Sequence, residues 1–341
     1  MKPYLYSLIA AAAFTGLASA QTTYTTPVGY TTTTPIAPNK FNLVSFTVHN
    51  TTIAAGVIDA ESASSITDNE VNFTTLLGAA DAPNTPTYIL ELPNGVIQEV
   101  VTWAGSVLTT PQDITASVTT GTTTYKLRKA KTISEIFGAT NSAGITASVD
   151  GDLVTVDEDT IQVYNGAGFD VIYYFNNGLA GEDNVQGWFD ANGNPAAAYP
   201  IVYSDGLFIR RGAGTSYNLV VTGEIKTKPT SGVLVNGFNY LGAVAPVGLT
   251  LQQSGLQNSI TQSPDGDLLT SDQVQIQNPD GSFLNCYYFN NGLAGEDNVQ
   301  GWFDQDNADA SGYTLDSGFL ILNRGGTKPY TIAVPTSYNN L

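Results

Sequence analysis

Apolar and polar residues alternate along much of this chain, which is the two-residue period of strands that bury one face. Clear examples are Leu43–His49, Thr160–Tyr164 and Val274–Gln277. The pairs Asn165-Gly166 and Asp280-Gly281 follow two of these runs, and such pairs are typical of tight hairpin turns. The pattern therefore predicts many short antiparallel strands.

Two segments have a helical pattern instead. Each offers a threonine to cap its start and a glycine to end it: Thr132–Gly138 and Leu249–Gly255. Both are short. We therefore expect an all-β fold made of tandem antiparallel sandwich-like or barrel-like units, each with one short helix.

The strongest signal of tandem organisation is a run of 18 residues that occurs twice without change, at Tyr173–Asp190 and Tyr287–Asp304. Repetition of this kind indicates a fold assembled from similar units. On this basis we predict a diverged first unit at 38–131, a second at 132–235 and a third at 236–341.

The N-terminal residues predict export. Lys2 precedes a short apolar run, and Ala18-Ser19-Ala20 is a small-x-small cleavage site, so residues 1–20 are expected to be a signal peptide. Residues 21–37 are rich in Thr and Pro and are predicted to be either a flexible leader or an extended arm that could complement a neighbouring sheet edge. Beyond the signal no segment predicts a transmembrane helix.

The net charge of −18 excludes classes of partner. An acidic chain without a basic patch repels nucleic acid, so no nucleic-acid partner is expected. The single histidine, His49, and the single cysteine, Cys286, cannot supply the clustered ligands of a zinc site, and one cysteine cannot form an intramolecular disulfide. His49 lies on a predicted strand, and the chain has no Gly-x-Ser-x-Gly motif for a serine nucleophile. We therefore expect no nucleophilic hydrolase, and the protein is predicted not to be an enzyme.

Several elements recur in a fixed order: a Phe-Asn pair (Phe238-Asn239), the Thr132–Gly138 helix, Tyr173–Phe175, Gly187-Trp188 and Gly206–Arg210. With these elements the chain from residue 39 onward resembles a family of secreted tandem-repeat proteins found in multiple copies in Verrucomicrobia-type bacteria. The resemblance implies a secreted bacterial surface protein and carries over no catalytic residue. The first unit departs from the pattern because it lacks Tyr-Tyr-Phe.

Two acidic loops suggest calcium as a possible ligand, because Asp and Asn at alternate positions can converge on a hard cation. Tight turns use the same residues, so a purely structural role is the alternative. Glycoside hydrolysis by paired carboxylates is a more remote alternative, with Glu182 and Glu296 as the acids. The candidate metal ligands are Asp183, Asp190, Asn192 and Asn194 in the second unit, and Asp297, Asp304, Asp306 and Asp309 in the third.

Aromatic residues in the repeated run allow two interpretations. Tyr174, Trp188, Tyr288 and Trp302 could form the packing centres of the units, or they could be exposed and stack on sugar rings. The function expected from the sequence is a secreted, non-enzymatic structural or adhesive surface protein whose partners are copies of itself or extracellular polysaccharide. The alternative is a glycan-binding module that uses these four rings.

Overall fold

The computed structural model describes residues 27–33, 35–80, 87–151, 158–243, 245 and 248–340. The predicted signal peptide (1–20) and the start of the predicted arm (21–26) lie outside the described residues. The chain has 42% strand and 11% helix, with no long helix, which confirms the predicted all-β class. Its paired strands are antiparallel, and within the described ranges no sheet closes into a barrel.

In chain order, the N-terminal strands are β1 Val28–Thr32, β2 Lys40–Val44 and β3 Val48–His49. There follow β4 Thr52–Val57, β5 Ala60–Ser62, β6 Ser65–Thr67, α1 Phe73–Leu77, β7 Tyr88–Glu91, β8 Ile97–Glu99, β9 Thr102–Ala104, β10 Val107–Thr109 and β11 Thr124–Lys129. Next are β12 Lys131–Thr132, α2 Ile133–Phe137, β13 Thr160–Tyr164, β14 Phe169–Asn176, β15 Gln186–Asp190, β16 Pro200–Ile201, β17 Leu207–Arg211 and β18 Val220–Ile225. The last are β19 Thr230–Leu234, β20 Gly237–Leu241, β21 Leu249–Thr250, α3 Leu251–Ser254, β22 Gln273–Gln277, β23 Phe283–Asn290, β24 Gln300–Asp304, β25 Thr314–Leu315, β26 Phe319–Asn323 and β27 Lys328–Ile332.

Two five-stranded sheets have the same strand order. One runs β15-β14-β13-β17-β2 and the other β24-β23-β22-β26-β20. Each sheet packs one face on its own hydrophobic core. Each core also contains a short helix, α2 or α3, that begins at a predicted threonine, Thr132 or Thr250, through a reciprocal capping box.

The predicted boundaries of the units do not match the sheets. β2 lies within the predicted first unit (38–131), yet it pairs with β17 of the second. β19 lies before the predicted start of the third unit at 236, yet it pairs with β27. Strands β4 to β11 instead form two four-stranded sheets around a separate core, inserted between β3 and β12 of the second unit.

The prediction for the Thr-rich residues 21–37 is also wrong in part. Residues Val28–Thr32 are a strand that pairs in register with Val220–Glu224 of the same chain. The flexible-leader interpretation is therefore wrong for these residues, because their backbone groups are bonded within the chain. β1 belongs to a three-stranded sheet in the order β1-β18-β3.

In each five-stranded sheet, a buried asparagine side chain stabilises the turn that precedes the edge strand, β2 or β20. Asn42 Oδ1 accepts from the Ala37 amide at 2.8 Å, and Asn42 Nδ2 donates to the carbonyls of Ala37 at 3.0 Å and Ile209 at 3.2 Å. Asn239 makes the corresponding bonds to Val235 and Ile321. A single side chain thus fixes the turn and ties it to the neighbouring strand, because buried backbone groups need partners.

Replacing either asparagine with alanine should destabilise its own unit. We expect N42A and N239A each to lower the free energy of unfolding by about 2–3 kcal/mol, since each leaves several buried backbone groups unsatisfied. Urea unfolding followed by tryptophan fluorescence would measure the loss. Asn236 is exposed and makes one side-chain bond, so N236A should change stability by less than about 0.5 kcal/mol. Equal effects of N236A and N239A would contradict this role.

Candidate functional site

The aromatic side chains of the repeated run lie in the cores. Tyr174, Trp188, Tyr288 and Trp302 are all buried. Tyr174 packs edge to face on Trp188 with ring centroids 5.1 Å apart, and Tyr288 on Trp302 at 5.5 Å. The alternative that these four rings are exposed stacking platforms is therefore wrong, because their positions face the core side of the sheet.

In the second and inserted units a tryptophan also links the sheet to the helix, whereas the indole nitrogen of Trp302 in the third unit has no hydrogen-bond partner among the described residues. Trp188 Nε1 donates to the carbonyl of Gly138, the residue that ends α2, at 2.9 Å. Trp103 of the inserted unit makes the same bond to Gly78, which ends α1, at 2.8 Å. The indole thereby satisfies a carbonyl that a helix end would leave unpaired.

The structure does not bring Asp183 and Asp297 together with the other predicted calcium ligands. Asp183 and Asp297 lie on exposed 3₁₀ turns at the tips of hairpins, whereas Asp190 and Asp304 end the strands that follow those tips. A strand of five residues at about 3.3 Å per residue separates the two positions. Among the described residues no group of three His, Cys, Asp or Glu side chains forms a place for a metal ion.

The carboxylates after the strands instead build turns. Asp190 Oδ1 accepts from the amides of Asn192 at 2.9 Å and Asn194 at 2.8 Å, and Asp190 Oδ2 accepts from Asn194 Nδ2. The Asn194 side chain is the main reason why the pKa of Asp190 lies below its usual range. Asp304 likewise accepts from the amides of Asp306 and Ala308.

Side-chain hydrogen bonds also stabilise the loop after β24 in the third unit. Asp304 Oδ2 accepts from the Tyr313 hydroxyl at 3.0 Å, and Asp309 Oδ1 accepts from the Ser311 amide at 2.8 Å. These bonds favour the turn interpretation that the sequence left open.

The hairpin tips between β14 and β15 and between β23 and β24 have the same structure. In the first, Asn177 Nδ2 donates to the Asp183 carbonyl at 2.8 Å, and Asn177 Oδ1 accepts from the amides of Leu179 and Val185. Asn291 repeats all three bonds at matching distances. We call residues 177–185 and 291–299 the hairpin tips.

Both tips present apolar side chains to solvent. Leu179 is 56% exposed and Leu293 57%, and Val185 and Val299 are each 49% exposed. None of these four side chains is in a hydrophobic core. Core packing therefore does not explain why the two tips have the same sequence, whereas it can explain why the buried Tyr and Trp residues beside them are the same.

A second candidate site is a cleft of about 490 Å³ where the inserted, second and third units meet. Its lining includes Glu99 from the inserted unit, Ser204 and Asp205 from the second, and Ser231 and Tyr330 from the third. No linear motif marks it, because its residues come from three separate parts of the sequence. No signal in the sequence could therefore have located it.

Asp205 is the chemically distinctive group of this junction cleft. Burial, and secondarily repulsion from Glu99, raises its pKa to about 7, while burial also raises the pKa of Glu99. Ser204 Oγ donates to Asp205 Oδ1 at 3.2 Å and only partly offsets the effect. A carboxyl that holds its proton near neutrality can donate a hydrogen bond or exchange a proton there.

His49 and Cys286, the single histidine and the single cysteine, are both buried, whereas Glu182 and Glu296, the glutamates considered for glycoside hydrolysis, are exposed on the hairpin tips. His49 packs on Tyr203 with ring centroids 5.0 Å apart, and burial lowers its pKa to about 3. Burial raises the pKa of the Cys286 thiol to about 12, and the residue lies in the third-unit core. Neither is placed to react with a solvent-borne substrate.

Comparisons with known proteins gave no relatives: no protein-family model, no curated protein and no solved structure matches this chain. Within the part of the chain that the structure describes, no helix has the length and apolar character needed to cross a membrane.

The Asp205 carboxyl should make stability depend on pH. Because its pKa is higher in the folded protein than in the unfolded chain, the folded state keeps a proton that the unfolded state loses. Its contribution to stability should therefore decline as pH rises from about 4 to about 7. We expect D205N to be more stable than the parent above pH 7, by about 1 kcal/mol or more, and to lose this part of the pH dependence.

Denaturation of both proteins at a series of pH values would measure this difference. D183N, which alters an exposed tip carboxylate, is the matched control and should follow the parent. A stability difference between D205N and the parent that stays constant across this pH range would disprove the assignment.

Proposed function

We propose that this protein is a secreted, non-enzymatic structural or adhesive component of a bacterial cell surface, which attaches through its two hairpin tips. The observation that carries the proposal is the identity of two exposed surfaces at the same position of two similar sheets. Each tip offers an exposed Leu and Val beside a Glu-Asp pair.

The contrast between the tips and the strands supports this proposal. β13 reads Thr-Ile-Gln-Val-Tyr where β22 reads Gln-Val-Gln-Ile-Gln, and Ile172 faces the core where the third unit has Cys286. The sheets thus tolerate changes in their interior, whereas the solvent-facing tips are unchanged. An exposed surface that does not vary within one chain is best explained by a shared binding partner.

Two identical tips on one chain also suit adhesion. When both engage one surface, the second contact forms at a high effective concentration, so the pair holds more strongly than either contact alone. The inaccessibility of His49 and Cys286 is consistent with a binding role. Copies of the chain itself or extracellular polysaccharide are the partners we propose.

Polar substitutions at the tips should weaken attachment stepwise. We expect L179S/V185S, or L293S/V299S, to reduce the apparent affinity for the cell surface at least about tenfold, and the quadruple variant to abolish attachment. Labelled protein would be titrated onto cells of the source bacterium that lack their own copy. L269S, which changes an exposed leucine outside the tips, should bind as the parent does.

Light scattering on the same variants tests the structural role. The parent should form oligomers that the quadruple tip variant does not form. If the parent neither assembles nor binds cells, or if the quadruple variant matches it in both assays, the proposal fails.

A further inference from the structure

Five aromatic rings form a continuous layer on the outer face of the second unit's sheet. Phe208 contacts Phe41 at 6.0 Å between ring centroids and Phe169 at 5.9 Å, and Phe169 contacts Tyr164 at 5.5 Å. Tyr240, from β20 of the third unit, adds ring contacts of 4.8 Å to Tyr164 and 5.1 Å to Phe169. The layer therefore spans two units.

The layer faces outward because of strand alternation. On β17, Leu207 and Ile209 enter the core, so Phe208 between them must point to the opposite face. The third unit covers only part of this face. Phe41 remains 45% exposed and Phe169 36%.

A trough of about 500 Å³ runs along four of these rings, Phe41, Phe169, Phe208 and Tyr240, and along Phe283 of the third unit. It is bordered by Gln162, Lys40 and Asp280. We call it the aromatic trough. Its volume lies within the range of small-ligand sites. Adjacent rings meet mostly edge to face, which gives a stepped platform and not a closed cage around a cation.

The polar groups at the border limit the charge of a ligand. Lys40 Nζ donates to the Pro279 carbonyl. The hydroxyl and amide of Ser282, and to a lesser extent the charge of Lys40, lower the pKa of Asp280 and favour its ionised form. The opposite charges of Lys40 and Asp280 offset each other, so the border favours neither a cation nor an anion. The net charge of −18 further disfavours anionic polymers.

The border also favours a ligand that donates hydrogen bonds. Asp280 Oδ1 accepts from the amide and hydroxyl of Ser282, whereas Oδ2 is not engaged in these bonds. Gln162 uses its Nε2 on Thr160, which leaves Oε1 as an acceptor. A proline-rich peptide offers mainly carbonyl acceptors and would leave these oxygens unmatched. Sugar hydroxyls can donate to them.

We propose that the aromatic trough binds a neutral oligosaccharide, whose apolar ring faces stack on Phe41 and Phe169 while its hydroxyls donate to Gln162 and Asp280. The inference rests on the proposed adhesive function and identifies a polysaccharide-binding site within it. It places glycan binding on rings other than the four that the sequence indicated, because those four are buried.

An array of neutral gluco-, galacto- and manno-configured oligosaccharides, probed with the purified full chain, would test this proposal. The array would also carry a sulfated oligosaccharide and a proline decapeptide. Calorimetry with the best neutral binder would then compare variants. We expect F41A and F169A each to weaken binding at least about tenfold and Q162A to weaken it severalfold.

Phe238 provides a matched control. It precedes Asn239 as Phe41 precedes Asn42, and it is 44% exposed, but it does not line the trough. F238A should therefore bind as the parent does, and near-ultraviolet circular dichroism should show all variants folded. The proposal is overturned if no neutral oligosaccharide binds, if the sulfated sugar or the decapeptide binds better, or if F41A and F238A behave alike.

The outcome is separable from that of the adhesion assays. Calorimetry with a free oligosaccharide needs no hairpin tip, so a failure here leaves tip-mediated attachment untouched. Conversely, trough variants that lose the sugar while the quadruple tip variant retains it would show two independent sites.

Discussion

A cluster of four buried charges holds the inserted unit on its host. Arg128 of β11 contacts Glu91 of β7 and Glu224 of β18, and Lys226 lies 3.0 Å from Glu91. Burial favours the neutral form of Glu91, but Lys226 and Arg128 together hold its pKa below its usual range. Removing one member would leave an uncompensated buried charge. This contact fixes the inserted unit against the second unit, and residues of both line the junction cleft.

The polar side chain of Gln277 joins the second and third units. Gln277 Oε1 accepts from the Leu43 amide at 2.7 Å, and Gln277 Nε2 donates to the Phe41 carbonyl at 3.0 Å. These bonds satisfy backbone groups of β2, the edge strand of its sheet. An edge covered in this way is closed to pairing with another chain, which directs attention from this edge to the hairpin tips as points of association.

The sequence predicted what local patterns determine. Alternation located β13 and β22, and the threonine and glycine signals located α2 and α3, because capping acts between neighbours in sequence. The insertion was missed, since the pairing of β2 with β17 joins residues that are far apart in the chain. The cleft around Asp205 and the trough around Phe208 were missed for the same reason: both are formed by contacts between units, and no periodicity records such contacts.

The insertion also imposes an order on folding. The two sheets of the second unit that contain β2 and β3 cannot be completed until β17 and β18 have followed in the chain, whereas the inserted unit has all its strands between Thr52 and Lys129. Because local contacts form sooner than distant ones, the inserted unit can become compact while β1 to β3 still lack their partners. Asn50 joins the two ends of the inserted unit. Its carbonyl accepts from Arg128, and its side chain contacts Lys131. It would thereby bring together the two parts of the second unit that the insertion separates. The folded inserted unit thus shortens the loop that the second unit must close.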